Sequence, residues 1–313
     1  MARTVKRVTL EPSRTDERPT RVPSTTPRFF ADLGLIYAEQ LDDDAVILAP
    51  ANYDEEFDVR WREESNGGRC WKATVIYEQL DQHHPHIVPF LRRDPWTAFP
   101  VLAKPSGPPV TEFIRQHKTT MYSAPLDTES SRILPLYRPL IYQWALHLVS
   151  GLSFVHAHNI VWGDLNLAHC WLSADAQLSL SLAGFVNAAF STYPGDWTFG
   201  EAFHPCEHQR DPTKHTDLFL YGCVVYELMT GNWPGNSLTG RSWRDIAMMI
   251  PRRQWPALEV VHMGQIVRKC WAGEFENIDQ LKADVVAFLE DLDWVIERDD
   301  NLRGLDFANL LSD

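Results

Sequence analysis

Asp164 is the residue around which chemistry could be built. It sits in Trp162-Gly163-Asp164-Leu165-Asn166, between a long helix-like segment and the strand-like run Gln177 to Leu182. A carboxylate in a tight polar loop can take a proton from a bound hydroxyl. Its plainer role is to accept hydrogen bonds from its own loop. Two other groups invite attention. His83, His84 and His86 crowd together, but Pro85 interrupts any helical register that would converge them, so a surface turn is expected. Cys70, Cys170, Cys206, Cys223 and Cys270 are odd in number, far apart and without a CxxC pair. That pattern reads as reduced thiols in the cytoplasm or nucleus, not as a disulfide or metal framework.

The elements that must position Asp164 can be read from periodicity. Pro139 to His158 carries Leu140, Trp144, Leu148, Leu152 and Val155 at helical spacing, with Pro139 in the first turn. Asp217 to Met229 is a second, mostly apolar helix. Thr216 is its expected N-cap, and Gly231 and Pro234 close it. Upstream, Leu33 to Tyr37 and Ala45 to Ala49 read as strands around the turn Asp42-Asp43-Asp44. Trp71 to Leu80 reads as a helix and Pro100 to Ala103 as another strand. Lys104-Pro105-Ser106-Gly107-Pro108-Pro109 is a Pro/Gly hinge. Downstream come Val110 to His117, the Trp243 to Ile250 region, Val260 to Trp271, and a final helix with Leu281, Val285, Phe288, Leu289, Leu292 and Ile296. The expected organisation is a basic tail over 1–28, a β-rich unit over 29–104, a helical unit over 105–296 and a C-terminal tail over 297–313 that packs on the body.

Composition narrows the classes. The net charge of −13 argues against nucleic-acid or anionic-membrane partners. Residues 1–28 nevertheless hold seven basic and three acidic residues, a local +4 that leaves −17 for the remainder. The tail is poor in large apolar residues and is expected to be disordered. The longest apolar run, Leu218 to Tyr226, is far too short to span a bilayer.

These segments, in this order, resemble a eukaryotic protein kinase, and in particular its divergent, fungal-type members. Gly151 to His156 followed by Trp162-Gly163-Asp164-Leu165 is similar to the helix leading into the catalytic loop. Pro205-Cys206-Glu207, then Thr216-Asp217-Leu218 through Tyr226-Glu227-Leu228-Met229-Thr230-Gly231, and Lys269-Cys270-Trp271 resemble later motifs of the same family. The resemblance implies a two-lobed α+β fold. It also implies that phosphoryl transfer would need a Gly-rich loop, a strand lysine with its glutamate, a base, and metal ligands.

Set against those requirements, most parts are degraded. Only Gly34 remains of the Gly-rich loop. Leu48 stands for the lysine and Ala73 for its glutamate, with Glu78 expected to be an exposed helix residue. Asp164 occupies the base position, but Trp162 and Gly163 replace the usual His and Arg before it. His169 stands for the metal-binding asparagine and Leu182 for the metal-binding aspartate. Mg²⁺ wants hard oxygen ligands, which an imidazole and a leucine do not supply. From Phe29 to Val59 there is no Lys or Arg among nine acids. One like-charge pair at 4 Å costs about 4 kcal/mol at an effective dielectric of ~20, against the roughly 8 kcal/mol of micromolar affinity. The cleft is therefore expected to lack both cation and anchoring amine, with no metal site. Glu207 and Asp217 are expected to be structural, Arg268 being a substitute partner for Glu207. Val101, Leu102, Ala103 and Lys104 form the hinge that would face an adenine.

The resulting expectation is a pseudokinase, a scaffold or regulatory module with a protein partner and no cofactor. The alternative is a divergent Ser/Thr kinase that uses ATP and Mg²⁺ with Asp164. A third reading is an unrelated α+β protein.

Overall fold

The computed structural model describes residues 36–50, 66–80, 82–126, 128, 130–190, 212–235, 249, 252–259, 262–298 and 300–307. The expectations for the tail 1–28, for Gly34, for Glu207 and for most of the Trp243 to Ile250 region fall outside these residues.

The chain first forms a small lobe. Strand β1 (Ile36–Gln40) turns through the acidic stretch, where the Asp44 amide donates to Asp42 Oδ1 at 2.9 Å, and returns antiparallel as β2 (Ala45–Pro50). Ala45 through Ala49 are all buried, as an unbroken apolar run requires of a central strand. Helix α1 (Asn66–Leu80) follows, then β3 (Phe90–Arg93) and β4 (Pro100–Ala103). The sheet order is β1-β2-β4-β3. Helix α1 begins five residues before the expected Trp71, because Gly67 and Gly68 mask its first turn in the sequence. Its face of Cys70, Ala73, Ile76, Tyr77 and Leu80 is buried.

The large lobe is mainly helical: α2 (Val110–Met121), α3 (Arg138–Ala157), α4 (Lys214–Thr230), α5 (Gly264–Ala272) and α6 (Ile278–Glu290). Short strands β5 (Ile160–Val161), β6 (Cys170–Leu172), β7 (Leu180–Leu182) and β8 (Ala189–Phe190) lie between α3 and α4. The expected stripe on α3 understates its burial. Every residue from Leu140 to Leu152 is inside, because α4, α6, β7 and the C-terminal hairpin all pack around it. The architecture is α+β in two lobes.

Three expectations are corrected. Helix α4 is capped by Thr213, not Thr216. Thr216 is the reciprocal member of a capping box, so Asp217 falls inside the first turn. The last helix ends at Glu290, before Ile296. Asp293 takes a left-handed φ of 62° and the chain turns into β9 (Ile296–Glu297) and β10 (Asn301–Leu302). This hairpin packs on α3, and Phe307 beyond it is buried with its amide donating to Ala176 O at 2.7 Å. Finally, the histidine segment is a turn with Gln82, His83 and Pro85 at the surface, as expected, but its third histidine is not. His83 is exposed, but His86 is buried, stacked on His147 at 3.9 Å and 3.1 Å from Asp300 Oδ2. His86 is thus held between His147 of α3 and Asp300 of the C-terminal hairpin.

Candidate functional site

The loop bearing Asp164 is held from below by Asp217. That carboxylate is fully buried and accepts from the amides of Trp162 at 2.7 Å and Gly163 at 2.8 Å, and from His156 Nε2 at 2.8 Å. Gly163 has φ of 83°, and a Cβ there would lie 2.9 Å from Asn187 O. A side chain at that position would be strained and would crowd Asn187 O, so glycine suits this backbone.

Asp164 itself is half-buried, with both carboxylate oxygens engaged. Asn187 Nδ2 donates to Oδ2 at 2.7 Å and Asn166 Nδ2 to Oδ1 at 3.3 Å. His169 Nδ1 lies 2.8 Å from Asp164 O. A carbonyl can only accept, so this nitrogen carries the proton. Burial pushes His169 below the ordinary imidazole range, against the opposing pull of Asp164. His169 is thus a neutral strut of the loop.

Arg69 overturns the expectation that no basic side chain reaches the cleft. It is buried on α1, and its guanidinium donates to Asn187 Oδ1 in a short contact. Asn187 therefore takes a hydrogen bond from Arg69 and gives one to Asp164. The sequence offered no signal for this contact. Arg69 lies four residues before Ala73 on the same helix face, while Asn187 is 118 residues away.

The other predicted positions are spread around the cleft. Leu48 is buried in β2, opposite Ala38. Ala73 is buried on α1, and exposed Glu78 pairs with Arg93 at 2.6 Å. Leu182 has no exposed surface. Its amide donates to His86 O at 2.9 Å, its carbonyl accepts from Val88 at 2.8 Å, and a side-chain carbon lies 3.2 Å from where a Cβ on Gly151 would sit. That side chain packs toward α3. The alignment of this position matters little, because no Asp or Glu occurs between Asp175 and Asp196.

In the hinge, the Ala103 amide donates to Pro89 O and the Lys104 amide to Asp44 O, both at 2.8 Å. Pro105 has no amide hydrogen, and the Gly107 amide donates to Leu172 O at 3.0 Å. Val101 and Leu102 are buried in the sheet. An aromatic column missed in the sequence joins the lobes. Phe90 stacks on Tyr77 at 5.7 Å, Tyr77 meets Phe185 edge-on at 4.9 Å, and Phe185 lies 4.5 Å from Trp162. The Tyr77 hydroxyl accepts from the Gly184 amide at 3.1 Å.

A family model described as protein tyrosine and serine/threonine kinase matches residues 106–283. A Dictyostelium discoideum protein described as "Probable serine/threonine-protein kinase irlC" is 32% identical over 108 residues, 33% of this chain and 7% of that protein. Arabidopsis thaliana "Serine/threonine-protein kinase STY17" is 28% identical over 138 residues, 41% of this chain and 23% of that protein. Homo sapiens "Receptor tyrosine-protein kinase erbB-4" is 22% identical over 221 residues, 66% of this chain and 15% of the receptor. The chain thus spans less than a quarter of each of these relatives. Among solved structures, one described as "Crystal structure of Rad53 kinase domain and SCD2" superimposes with a TM-score of 0.55 at 14% identity, covering 86% of this chain and 94% of the other. That similarity speaks to the fold alone.

Proposed function

Because this chain belongs to the protein tyrosine and serine/threonine kinase family, we propose that it is a pseudokinase of that family's divergent, fungal-type branch. Its fold serves as a scaffold or regulatory binding module in the cytoplasm or nucleus, and its partner is a protein. The observation that carries this reading is Leu182, buried in β7 within a stretch of twenty residues free of carboxylates. Mg²⁺ needs oxygen ligands there, and neither Leu182 nor the neutral His169 supplies one. Magnesium-loaded ATP does not fit this donor set.

Two further observations support the reading. The amides of Ala103, Lys104 and Gly107 are already spent on the protein's own carbonyls, and Pro105 has none. A purine edge therefore lacks those hinge donors. Leu48 also gives a triphosphate no ammonium. The rival reading, a divergent Ser/Thr kinase using Asp164 as base, requires a carboxylate that can turn to a substrate hydroxyl. Here two side-chain amides hold it.

The test is a thermal shift of the full chain with ATP, with and without Mg²⁺. A ligand at a hundredfold excess over its Kd stabilises by about 2.7 kcal/mol, a shift easily measured. No shift is expected at millimolar nucleotide. A saturable, Mg²⁺-dependent rise, with phosphate transfer abolished by Asp164→Ala, would establish the rival instead.

A further inference from the structure

We infer that Asp164 is the large-lobe end of an interlobe tether, Arg69–Asn187–Asp164, that holds the N-terminal half of α1 against the catalytic loop without any ligand. The two halves of α1 are fastened differently. Its C-terminal half belongs to the small lobe: Thr74 Oγ1 donates to Ala98 O at 2.8 Å, and Glu78 pairs with Arg93 of β3. Its N-terminal half contains Gly67 and Gly68, which weaken helix formation, and its first turn holds no acidic residue. With Leu48 and Ala73 at the two positions where the family would place a lysine–glutamate pair, that ion pair cannot draw this half toward the sheet.

Arg69 makes the arrangement more demanding. A cation near the first turn opposes the helix dipole, and this one is only 4% exposed. A buried guanidinium is stabilised by nearby negative charge. Asp164 lies one intervening amide away, whose oxygen takes the Arg69 hydrogen bond and whose nitrogen donates to the carboxylate at 2.7 Å. Asn166 and the His169 ring fix the far side of the loop. The retained aspartate thus acts as an anchor for α1, a role that needs neither nucleotide nor metal.

Native-state hydrogen exchange on the full chain, without nucleotide, tests this. Arg69→Met and Asp164→Ala should each speed exchange across residues 66–73 about tenfold, while the C-terminal half of α1 and all of α4 keep wild-type protection. The double variant should go no further than either single one, because both cut the same chain of contacts. Asn187→Leu keeps both charges and removes only the bridge, so it should reproduce the effect, and it serves if Arg69→Met fails to fold. Arg69→Lys should restore part of the protection. If Asp164→Ala or Asn187→Leu loosens residues 160–170 but leaves α1 at wild-type exchange, the tether is refuted and Asp164 is a local loop residue. That result leaves the nucleotide question open to the thermal shift, and nucleotide binding in turn would leave the tether standing.

Discussion

Replacing Asp217 with alanine should be among the most damaging single changes available in this chain. The carboxylate is fully buried and accepts three hydrogen bonds of 2.7–2.8 Å, from two backbone amides and His156. Hydrogen bonds to a charged group contribute about 1.5–3 kcal/mol each, and a buried donor left without an acceptor costs about 1–3 kcal/mol. Alanine orphans three donors in a site without water access, and Gly163, at φ of 83°, cannot reorganise cheaply. Allowing for non-additivity, the loss should be about 4 kcal/mol, within the range seen when one partner of a buried pair is removed. That is a large share of the ~5–15 kcal/mol that stabilises a typical domain. Urea unfolding of the full chain should show a midpoint lowered by about 1–2 M with an unchanged slope. Asp217→Asn, which keeps one acceptor oxygen, should fall between. A loss below about 1 kcal/mol for the alanine variant would mean that the loop is held by other contacts, and the account of how Asp164 is positioned would fail with it.

Two further outcomes follow from single residues. Burial pushes the Glu227 carboxyl up to about 7, with Lys118 opposing. The folded state therefore holds this proton more tightly than the unfolded chain, and stability should decline as pH rises from about 4.5 through 7. Glu227→Gln should remove that decline, worth at most about 3 kcal/mol at pH 8; parallel melting profiles for the two proteins between pH 5 and 8 would refute it. Gly231 ends α4 at φ of 73°, and an added Cβ would stand 3.2 Å from the Tyr122 ring, whose hydroxyl is fixed to Leu228 O at 2.9 Å. Gly231→Ala should cost about 1–2 kcal/mol from left-handed strain and crowding, visible as a melting point lowered by several degrees.

Most of the fold was legible because its signals are local. The stripe on α3, the apolar run of β2 and the Gly231 stop each sit within one turn or one strand of the residues they organise. What escaped was non-local. Gly67 and Gly68 hid the start of α1, since packing and the Arg69 contacts outweigh their poor propensity. The run of apolar residues toward Ile296 suggested a longer helix, but the turn at Asp291–Asp293 directs Ile296 into a hairpin instead. His86 looked exposed because its neighbours His83 and Pro85 are polar or turn-forming, whereas the residues that enclose it, His147 and Asp300, lie far along the chain.

The same distinction bears on the site. Counting charges along residues 29–59 correctly identified an acidic stretch, yet a cleft is assembled from segments that the count never compares. Its positive charge comes from α1, at a residue chosen by helical phase. In a phosphotransferase the catalytic carboxylate stands near cations brought in by the nucleotide and its metal, and the empty site is electrostatically incomplete. Here Arg69, Asn187, Asn166 and Asp164 are linked to one another by hydrogen bonds within the chain. Opening that network to admit a triphosphate would separate the buried Arg69 guanidinium from the carboxylate that Asn187 bridges to it, with no lysine at Leu48 and no carboxylate near Leu182 to compensate. On the pseudokinase reading proposed above, the absence of a lysine at Leu48 and of a carboxylate at Leu182 is consistent with the retention of Asp164, because an aspartate not used in chemistry can be kept for holding two lobes together.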